Sequence, residues 1–194
     1  MLKKGFTLVE LLIVIGLLGA IALIVIAAIN PIEQANRARD TRFKSDGGQL
    51  ISAIERYFAV KSEFPWVTGG TAANDDPFGF ITAQDPMVGV CGMSCTATDG
   101  NLLEALELKT EFLNRDFIKT ADAVMEYMYV GKSEGASSSV YACYVPMSKS
   151  NRDKACEDDK VYTLGAANGT RTSTTCAAGD DWNIATPWVV CIPE

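Results

Sequence analysis

The sequence predicts an α+β protein in which a long N-terminal helix is followed by an antiparallel sheet. Residues 11–32 carry no charged side chain, and about 20 such residues suffice for a helix to cross the hydrocarbon core of a membrane. Short strand candidates separated by turn residues occupy the C-terminal part. Between the two, apolar residues recur at helical spacing and form a stripe: Phe43, Leu50, Ile54, Tyr57 and Phe58. This stripe is expected to cover one face of the sheet.

The helical pattern extends over residues 6–60 with one clear interruption. Asn30 is a good N-cap and Pro31 suits a first helical position, whereas proline inside a helix breaks the hydrogen-bond ladder. A kink or a new helix is therefore expected there. Gly47-Gly48 costs about 1 kcal/mol per glycine relative to alanine. This pair predicts a second bend, or a place where a neighbouring subunit approaches closely.

Pro65 ends the helix, because the α region is disfavoured for the residue before a proline. Beyond Pro65 the composition and the predicted elements change. Residues 67–100 are rich in Gly, Thr, Asn and Asp and are predicted to form a loop. Residues 101–114 are predicted to be helical, with further turns at 117–125. Strands are predicted at 126–131, 138–146, 160–167, 170–176 and 185–192. Asn168-Gly169 is a strong hairpin signal between two of them.

Charge and composition exclude several functions. Residues 61–194 contain 10 Lys and Arg against 19 Asp and Glu, so the globular surface lacks the basic footprint that nucleic acid requires. The chain has no histidine, which excludes the usual serine and cysteine triads. No glycine-rich phosphate loop precedes a helix. We therefore expect no catalytic residues and no enzyme activity.

All six cysteines lie in the acidic C-terminal part. An even number confined to that region indicates disulfides and an oxidising compartment. The sequence leaves their pairing open, and we expect sequential neighbours to pair: Cys91 with Cys95, Cys143 with Cys156, and Cys176 with Cys191.

No cofactor is expected, although calcium is an open alternative. Ca²⁺ prefers several oxygen ligands, and three acidic pairs could supply them: Asp75-Asp76, Asp158-Asp159 and Asp180-Asp181. None has the spacing of an EF-hand loop. Solvated loop carboxylates are the simpler interpretation, and no metal ligand is assigned.

The N-terminus, MLKKGFTLVELLIVIGLLG, permits three interpretations. A secretory signal peptide would explain Lys3-Lys4, the apolar run and small residues near Ala22, but not Glu10 within that run. A plain membrane anchor would tolerate this carboxylate at a cost of about 2.5–3.5 kcal/mol at the helix centre, and less near an end. Neither interpretation explains why a carboxylate is present at position 10.

The third interpretation explains the carboxylate. The stretch from Gly5 to Glu10, GFTLVE, resembles the prepilin motif of type IV pilins and type II secretion pseudopilins. The resemblance implies that a prepilin peptidase removes leader residues 1–5 between Gly5 and Phe6 and methylates the amine of Phe6. Glu10 matches the glutamate of the family motif, one helical turn beyond the new terminus.

The pairing of two charges gives this resemblance a physical basis. In a bundle of identical, staggered helices, Glu10 of one subunit can meet the Phe6 amine of the next, and burial of either charge requires such a partner. The resemblance implies a pilin-like fold with one long helix. Its hydrophobic half, residues 6–32, protrudes, and its amphipathic half, residues 33–62, packs on the antiparallel sheet of globular domain 63–194. The resemblance also implies a stretch of helix that extends inside the filament, with three candidates: Gly16, Gly19 and Pro31.

The resemblance further implies a homo-oligomeric helical filament that adheres, drives twitching or takes up DNA. Its subunits would sit in the inner membrane before assembly, meet an assembly platform with a cytoplasmic ATPase, and end in a filament on the cell surface. A type II secretion pseudopilin is the alternative. Bound calcium would favour the pseudopilin. A Cys176–Cys191 loop, of the kind found near the C-terminus of many pilins, would disfavour it. A membrane-anchored or secreted enzyme or binding protein is a more remote alternative.

A basic cluster just beyond the apolar run leaves two interpretations open: Arg37, Arg39, Arg42 and Lys44. It could contact phospholipid headgroups or acidic patches of adjacent subunits, or form a solvated face. By the positive-inside rule alone, this cluster would place the C-terminal part in the cytoplasm. The cysteines and the prepilin motif indicate the opposite orientation.

N-terminal sequencing of the mature chain tests the cleavage site. We expect the mature chain to begin at an N-methylated Phe6. A mature chain that begins beyond Ala22 would instead indicate an ordinary secretory signal peptide.

Overall fold

The computed structural model describes residues 5–28, 30–67, 72–93, 95, 99–165, 167–176, 182 and 187–193. The chain divides into two compact units, Met1–Ala35 and Asn36–Glu194. The first unit contains an apolar helix, and the second contains an amphipathic helix with an antiparallel sheet. The predicted α+β, pilin-like class is confirmed.

Two N-terminal helices are separated at the predicted interruption. Helix α1 spans Leu8–Ala28 and α2 spans Pro31–Lys61. The side chain of Asn30 caps α2, since its Oδ1 accepts a hydrogen bond from the backbone N of Glu33 at 3.2 Å. A cap of this kind satisfies a backbone donor that has no partner within the helix.

The second unit is built on a four-stranded antiparallel sheet with the strand order β1-β2-β3-β6. Strands β4 and β5 form a separate antiparallel hairpin, as Asn168-Gly169 predicted, and Gly169 adopts a φ of 60° in its turn. The bounds are β1 Phe78–Thr82, β2 Met128–Lys132, β3 Val140–Tyr144, β4 Tyr162–Leu164, β5 Arg171–Ser173 and β6 Val190–Ile192.

The shorter elements differ from the prediction in several places. The predicted helix at 101–114 is divided into α3, Asn101–Glu104, and a 3₁₀ turn, Thr110–Asn114, since Leu106 between them has a φ of 59°. Helix α4, Asp116–Lys119, is shorter than predicted. Strand β1, inside the predicted loop, and helix α5, Lys149–Glu157, were not predicted. Helix α5 could not be predicted from apolar periodicity, because Ala155 is its one buried residue.

The apolar stripe of α2 covers one face of the sheet, as predicted. Phe43, Leu50, Ile54 and Tyr57 are buried in one cluster with residues of β1, β2 and β3. Helix α2 is continuous through Gly47-Gly48, where the sequence predicted a second bend or a close approach to a neighbouring subunit. Gly47 instead faces the chain's own sheet. A Cβ there would lie 2.9 Å from Cδ1 of Ile192 and 3.4 Å from Cβ of Ala142, whereas one at Gly48 would meet nothing within 4 Å.

A buried aspartate fixes α2 to the loop before α5. Asp40 is 1% exposed, and its carboxylate accepts hydrogen bonds from the backbone N of Met147 at 2.9 Å and of Ser148 at 3.0 Å, and from Nδ2 of Asn151 at 2.9 Å. Buried carboxylates need partners of this kind. Asp40 therefore serves as a polar anchor on the apolar stripe of α2.

The opposite face of the sheet is covered as well. Side chains alternate along β3, so that Ala142 belongs to the cluster under α2 and Cys143 to a second cluster. The second cluster includes Ala155 of α5 with Trp182 and Trp188. The sheet is therefore buried on both sides, whereas the sequence predicted a cover on one side.

The disulfides correct the expected pairing. Cys91 pairs with Cys95 as expected, but Cys143 pairs with Cys191 and Cys156 with Cys176. Cys143 and Cys191 lie directly opposite each other on β3 and β6, with Cα atoms 4.0 Å apart. Sequential pairing was wrong because the strand order brings β6 beside β3, which sequence spacing does not reveal.

Substitution of the two adjacent glycines tests the packing of α2. Gly47→Leu is expected to destabilise the protein by about 1–3 kcal/mol, because the new side chain overpacks against Ala142 and Ile192. Gly48→Leu is the matched control and should be neutral or stabilising by up to about 1 kcal/mol, since leucine favours helices. Chemical denaturation of the full chain in detergent measures both. Equal effects at the two positions would contradict the packing described.

Candidate functional site

The segment around the predicted cleavage point is open to solvent. Gly5, Phe6 and Thr7 precede α1 in non-helical conformation and are exposed, and Phe6 is 84% exposed. In the part of the chain that the structure describes, no atom lies within 4 Å of the position that a Cβ of Gly5 would take. Packing in the described chain therefore imposes no need for glycine at this position.

Thr7 and Glu10 form a reciprocal cap at the start of α1. The backbone N of Glu10 donates to Oγ1 of Thr7 at 3.2 Å, while Oε2 of Glu10 accepts from the backbone N of Thr7 at 2.9 Å and from its hydroxyl at 2.8 Å. This arrangement is a capping box, in which the N-cap residue and the third helical residue each satisfy a donor of the other. It gives Glu10 a local structural role in the single chain.

Thr7 was not identified from the sequence as a site residue. The signal was present, because Thr-x-x-Glu before an apolar run is the pattern of a capping box. Both hydrogen bonds that Glu10 accepts from Thr7 use Oε2. A carboxylate has two oxygens and about four acceptor positions, so the cap is compatible with an additional cationic partner.

Helix α1 has no polar face. The described part of α1 exposes 14 large apolar side chains, and Glu10 is its one charged residue. By length and composition, Leu8–Ile26 can cross a membrane, although a signal sequence at this position would satisfy the same criterion. A helix that is apolar all round belongs in a membrane or in a dry protein interior.

The candidate helix-breaking residues differ in the structure. Pro31 lies at a helix boundary, as predicted, whereas Gly16 and Gly19 lie inside continuous α1. A Cβ at either glycine would meet nothing within 4 Å among the described residues. Extension of the helix at these glycines inside a filament stays a prediction.

Comparison with known families identifies the N-terminal segment. Residues 1–26 match the family model of the prokaryotic N-terminal methylation motif. The chain carries this methylation motif. It is the signature of type IV prepilins and pseudopilins, and in this chain it contains Gly5, Phe6, the capping box and most of α1. No curated protein and no solved structure matches the chain.

The methylation motif supports a protein of the type IV pilin or pseudopilin class. This class is structural rather than enzymatic. The motif implies processing by a prepilin peptidase and assembly of several subunits into a filament. The motif and α1 together are consistent with membrane anchoring followed by surface assembly.

One member of the basic cluster beyond α1 lies inside the globular unit. The side chain of Arg39 is 13% exposed, and it donates to the carbonyls of Met125 and Val145 and lies over the ring of Phe43. Burial lowers the pKa of Arg39, and neighbouring Asp40 opposes this shift. Arg39 therefore acts inside the globular unit, and the exposed members of the cluster are Arg37, Arg42 and Lys44.

Two of the three acidic pairs contain carboxylates with hydrogen-bond or ion-pair partners among the described residues. Asp75 Oδ1 accepts from the backbone N of Ala136, and Asp76 Oδ2 accepts from that of Ala73. Asp158 lies 3.7 Å from Nζ of Lys154. Asp180-Asp181 lies outside the described residues. Among the described residues, no group of three or more His, Cys, Asp or Glu side chains is arranged to hold a metal ion.

Proposed function

We propose that the chain is the structural subunit of a type IV pilus filament and that it polymerises through α1. The observation that carries this proposal is the combination of a wholly apolar, exposed α1 with a capped carboxylate at its start, within the methylation motif. The proposal divides the chain into leader 1–5, filament-core helix 6–32, amphipathic helix 33–62 and globular domain 63–194.

Surface energetics support assembly through α1. Burial of a large apolar side chain stabilises by about 1.5–3 kcal/mol, so the 14 exposed apolar side chains of α1 represent at least about 20 kcal/mol. That exceeds the net stability of a typical domain, about 5–15 kcal/mol. Lipid covers this surface before assembly, and the α1 helices of other copies cover it in the filament.

The charge at the start of α1 sets the stagger between copies. When Gly5 is removed, Phe6 acquires an amine one helical turn before Glu10. In a bundle without water, the Glu10 carboxylate and the Phe6 amine each need a partner of opposite charge. For Glu10 of one copy, that partner is the terminal amine of the neighbouring copy. Pairing of Glu10 with Phe6 of the next subunit places each new helix at a fixed axial offset.

The proposal includes the partners that such a subunit needs. A prepilin peptidase cleaves and methylates the chain in the inner membrane, and an assembly platform with a cytoplasmic ATPase extracts it into the growing filament. The filament on the cell surface serves adhesion, twitching motility or DNA uptake. No cofactor takes part.

A type II secretion pseudopilin is the second candidate, supported by the same methylation motif. It would share α1, the cap and the Glu10 pairing, but it would build a shorter filament. Three disulfides in the globular unit favour the pilus. Each bridge stabilises the folded domain by about 2–4 kcal/mol, and a subunit exposed outside the cell benefits from that stability.

Removal of the Glu10 carboxylate tests the pairing. Glu10→Leu and the isosteric Glu10→Gln should still enter the membrane and be cleaved, but they should assemble poorly. Loss of one partner from a buried ion pair costs about 3–5 kcal/mol, which corresponds to a decrease of roughly two to four orders of magnitude in assembly affinity. Electron microscopy and quantification of sheared surface filaments measure the effect.

Glu33→Gln provides the matched control, since it removes the other carboxylate of the N-terminal unit and should leave filaments unchanged. The mass of the mature chain verifies that every variant is cleaved and methylated. Normal filaments from Glu10→Leu would refute the pairing. Short fibres that remain within the cell envelope of the wild type would favour the pseudopilin.

A further inference from the structure

A lysine-rimmed groove lies in the globular unit between α2 and α5. Its volume is about 240 Å³, and its floor is formed by residues of β3 and β6. Three lysines line it: Lys44 of α2, Lys154 of α5 and Lys160. Two carboxylates also line it. Asp40 is buried and accepts hydrogen bonds from Arg39 and from three other N–H groups, and Asp158 lies 3.7 Å from Nζ of Lys154. The lining therefore holds three ammonium groups against two carboxylates, in a domain whose composition is acidic.

An acidic corner lies at the other side of the sheet, where β1 begins and β2 ends. It comprises four exposed carboxylates: Glu63, Asp75, Asp76 and Glu134. Hydrogen bonds tie its three loops together, because Asn74 bonds the backbone of Ser62 and Phe64, and the backbone N of Gly135 donates to the carbonyl of Asp75 at 2.7 Å.

One lysine lies buried beneath this corner. Lys132 is 0% exposed, and its Nζ donates to the carbonyls of Asp76, Ser133 and Gly135 at 2.8–3.3 Å. Burial lowers the pKa of Lys132, and the nearby Asp75 and Asp76 carboxylates oppose this shift. At the surface of the corner, four carboxylates remain against the exposed ammonium of Lys61.

Strand β3 measures the separation of the two surfaces. Tyr144 at one end of β3 lines the groove, and Val140 at the other end pairs with Lys132 beneath the corner. Four residues at about 3.3 Å each separate these two ends by about 13 Å along the strand. The groove and the corner therefore lie at different places on the same unit.

We propose that the lysine-rimmed groove of one copy receives the acidic corner of a second copy of this chain. The inference rests on the proposed filament function and adds the contact between globular domains. In a two-fold dimer, each groove would meet the corner of the same partner copy, and the assembly would close. In the filament proposed here, each copy offers its groove to one neighbour and its corner to another, and such heterologous contacts continue from copy to copy into an open helical assembly.

Charge reversal on each surface, and on both together, tests this contact in the full chain. The groove variant carries Lys44→Glu and Lys154→Glu, the corner variant carries Glu63→Lys and Glu134→Lys, and a third variant carries all four changes. The corner substitutions leave intact the Asp75 and Asp76 carboxylates, which accept backbone hydrogen bonds. Each double variant should reduce sheared filaments at least about tenfold, which corresponds to 1.4 kcal/mol per contact. The fourfold variant should recover to within about twofold of wild type.

Lys149→Glu is the matched control, because Lys149 lies on α5 and is 80% exposed, yet it does not line the groove. It should assemble like wild type. Membrane levels of each variant show that the chain folds and accumulates. A fourfold variant no better than either double variant would overturn the proposal, and would point to a phosphate, an anionic lipid or another protein as occupant of the groove.

The same series separates this inference from the proposed function. Wild-type filaments that depend on Glu10 but do not respond to either charge reversal contradict the groove contact alone. A wild-type chain that forms no filaments contradicts both proposals.

Discussion

The central constraint is that α1 has an apolar surface on every side and one carboxylate at its start. No described residue of the chain buries this helix, so its surface must be covered by lipid or by other molecules. The capping box with Thr7 keeps the carboxylate hydrogen-bonded while the subunit is alone. It thereby lowers the cost of a charge that membrane insertion alone would disfavour.

The globular unit has a separate requirement, which is to keep α2 packed against its sheet. Helix α2 achieves this with two kinds of contact on one stripe: close packing at Gly47 against the sheet, and the buried carboxylate of Asp40 against the loop before α5. A disulfide joins β3 to β6. The sheet is covered on both faces, and the groove and the acidic corner both lie on this unit.

Much of the fold could be predicted from local patterns. The cap at Asn30, the stripe of α2 and the hairpin at Asn168-Gly169 each depend on neighbouring residues alone. The rest depends on contacts that are distant in sequence. The pairing of Cys143 with Cys191 follows from the position of β6 beside β3, and the role of Arg39 follows from carbonyls that its side chain meets only after folding. At the candidate site, Gly5, Phe6 and Glu10 were identified by resemblance to the family motif, while Thr7 was overlooked although its pattern is local.

The most direct test of the account is a filament structure at side-chain resolution by electron cryomicroscopy. The account predicts that the α1 helices form the core and that a Glu10 carboxylate oxygen lies within about 4 Å of the Phe6 nitrogen of a neighbouring copy, the distance of an ion pair. A core built from other elements, or a Glu10 carboxylate that lies far from every neighbouring Phe6 amine, would contradict it.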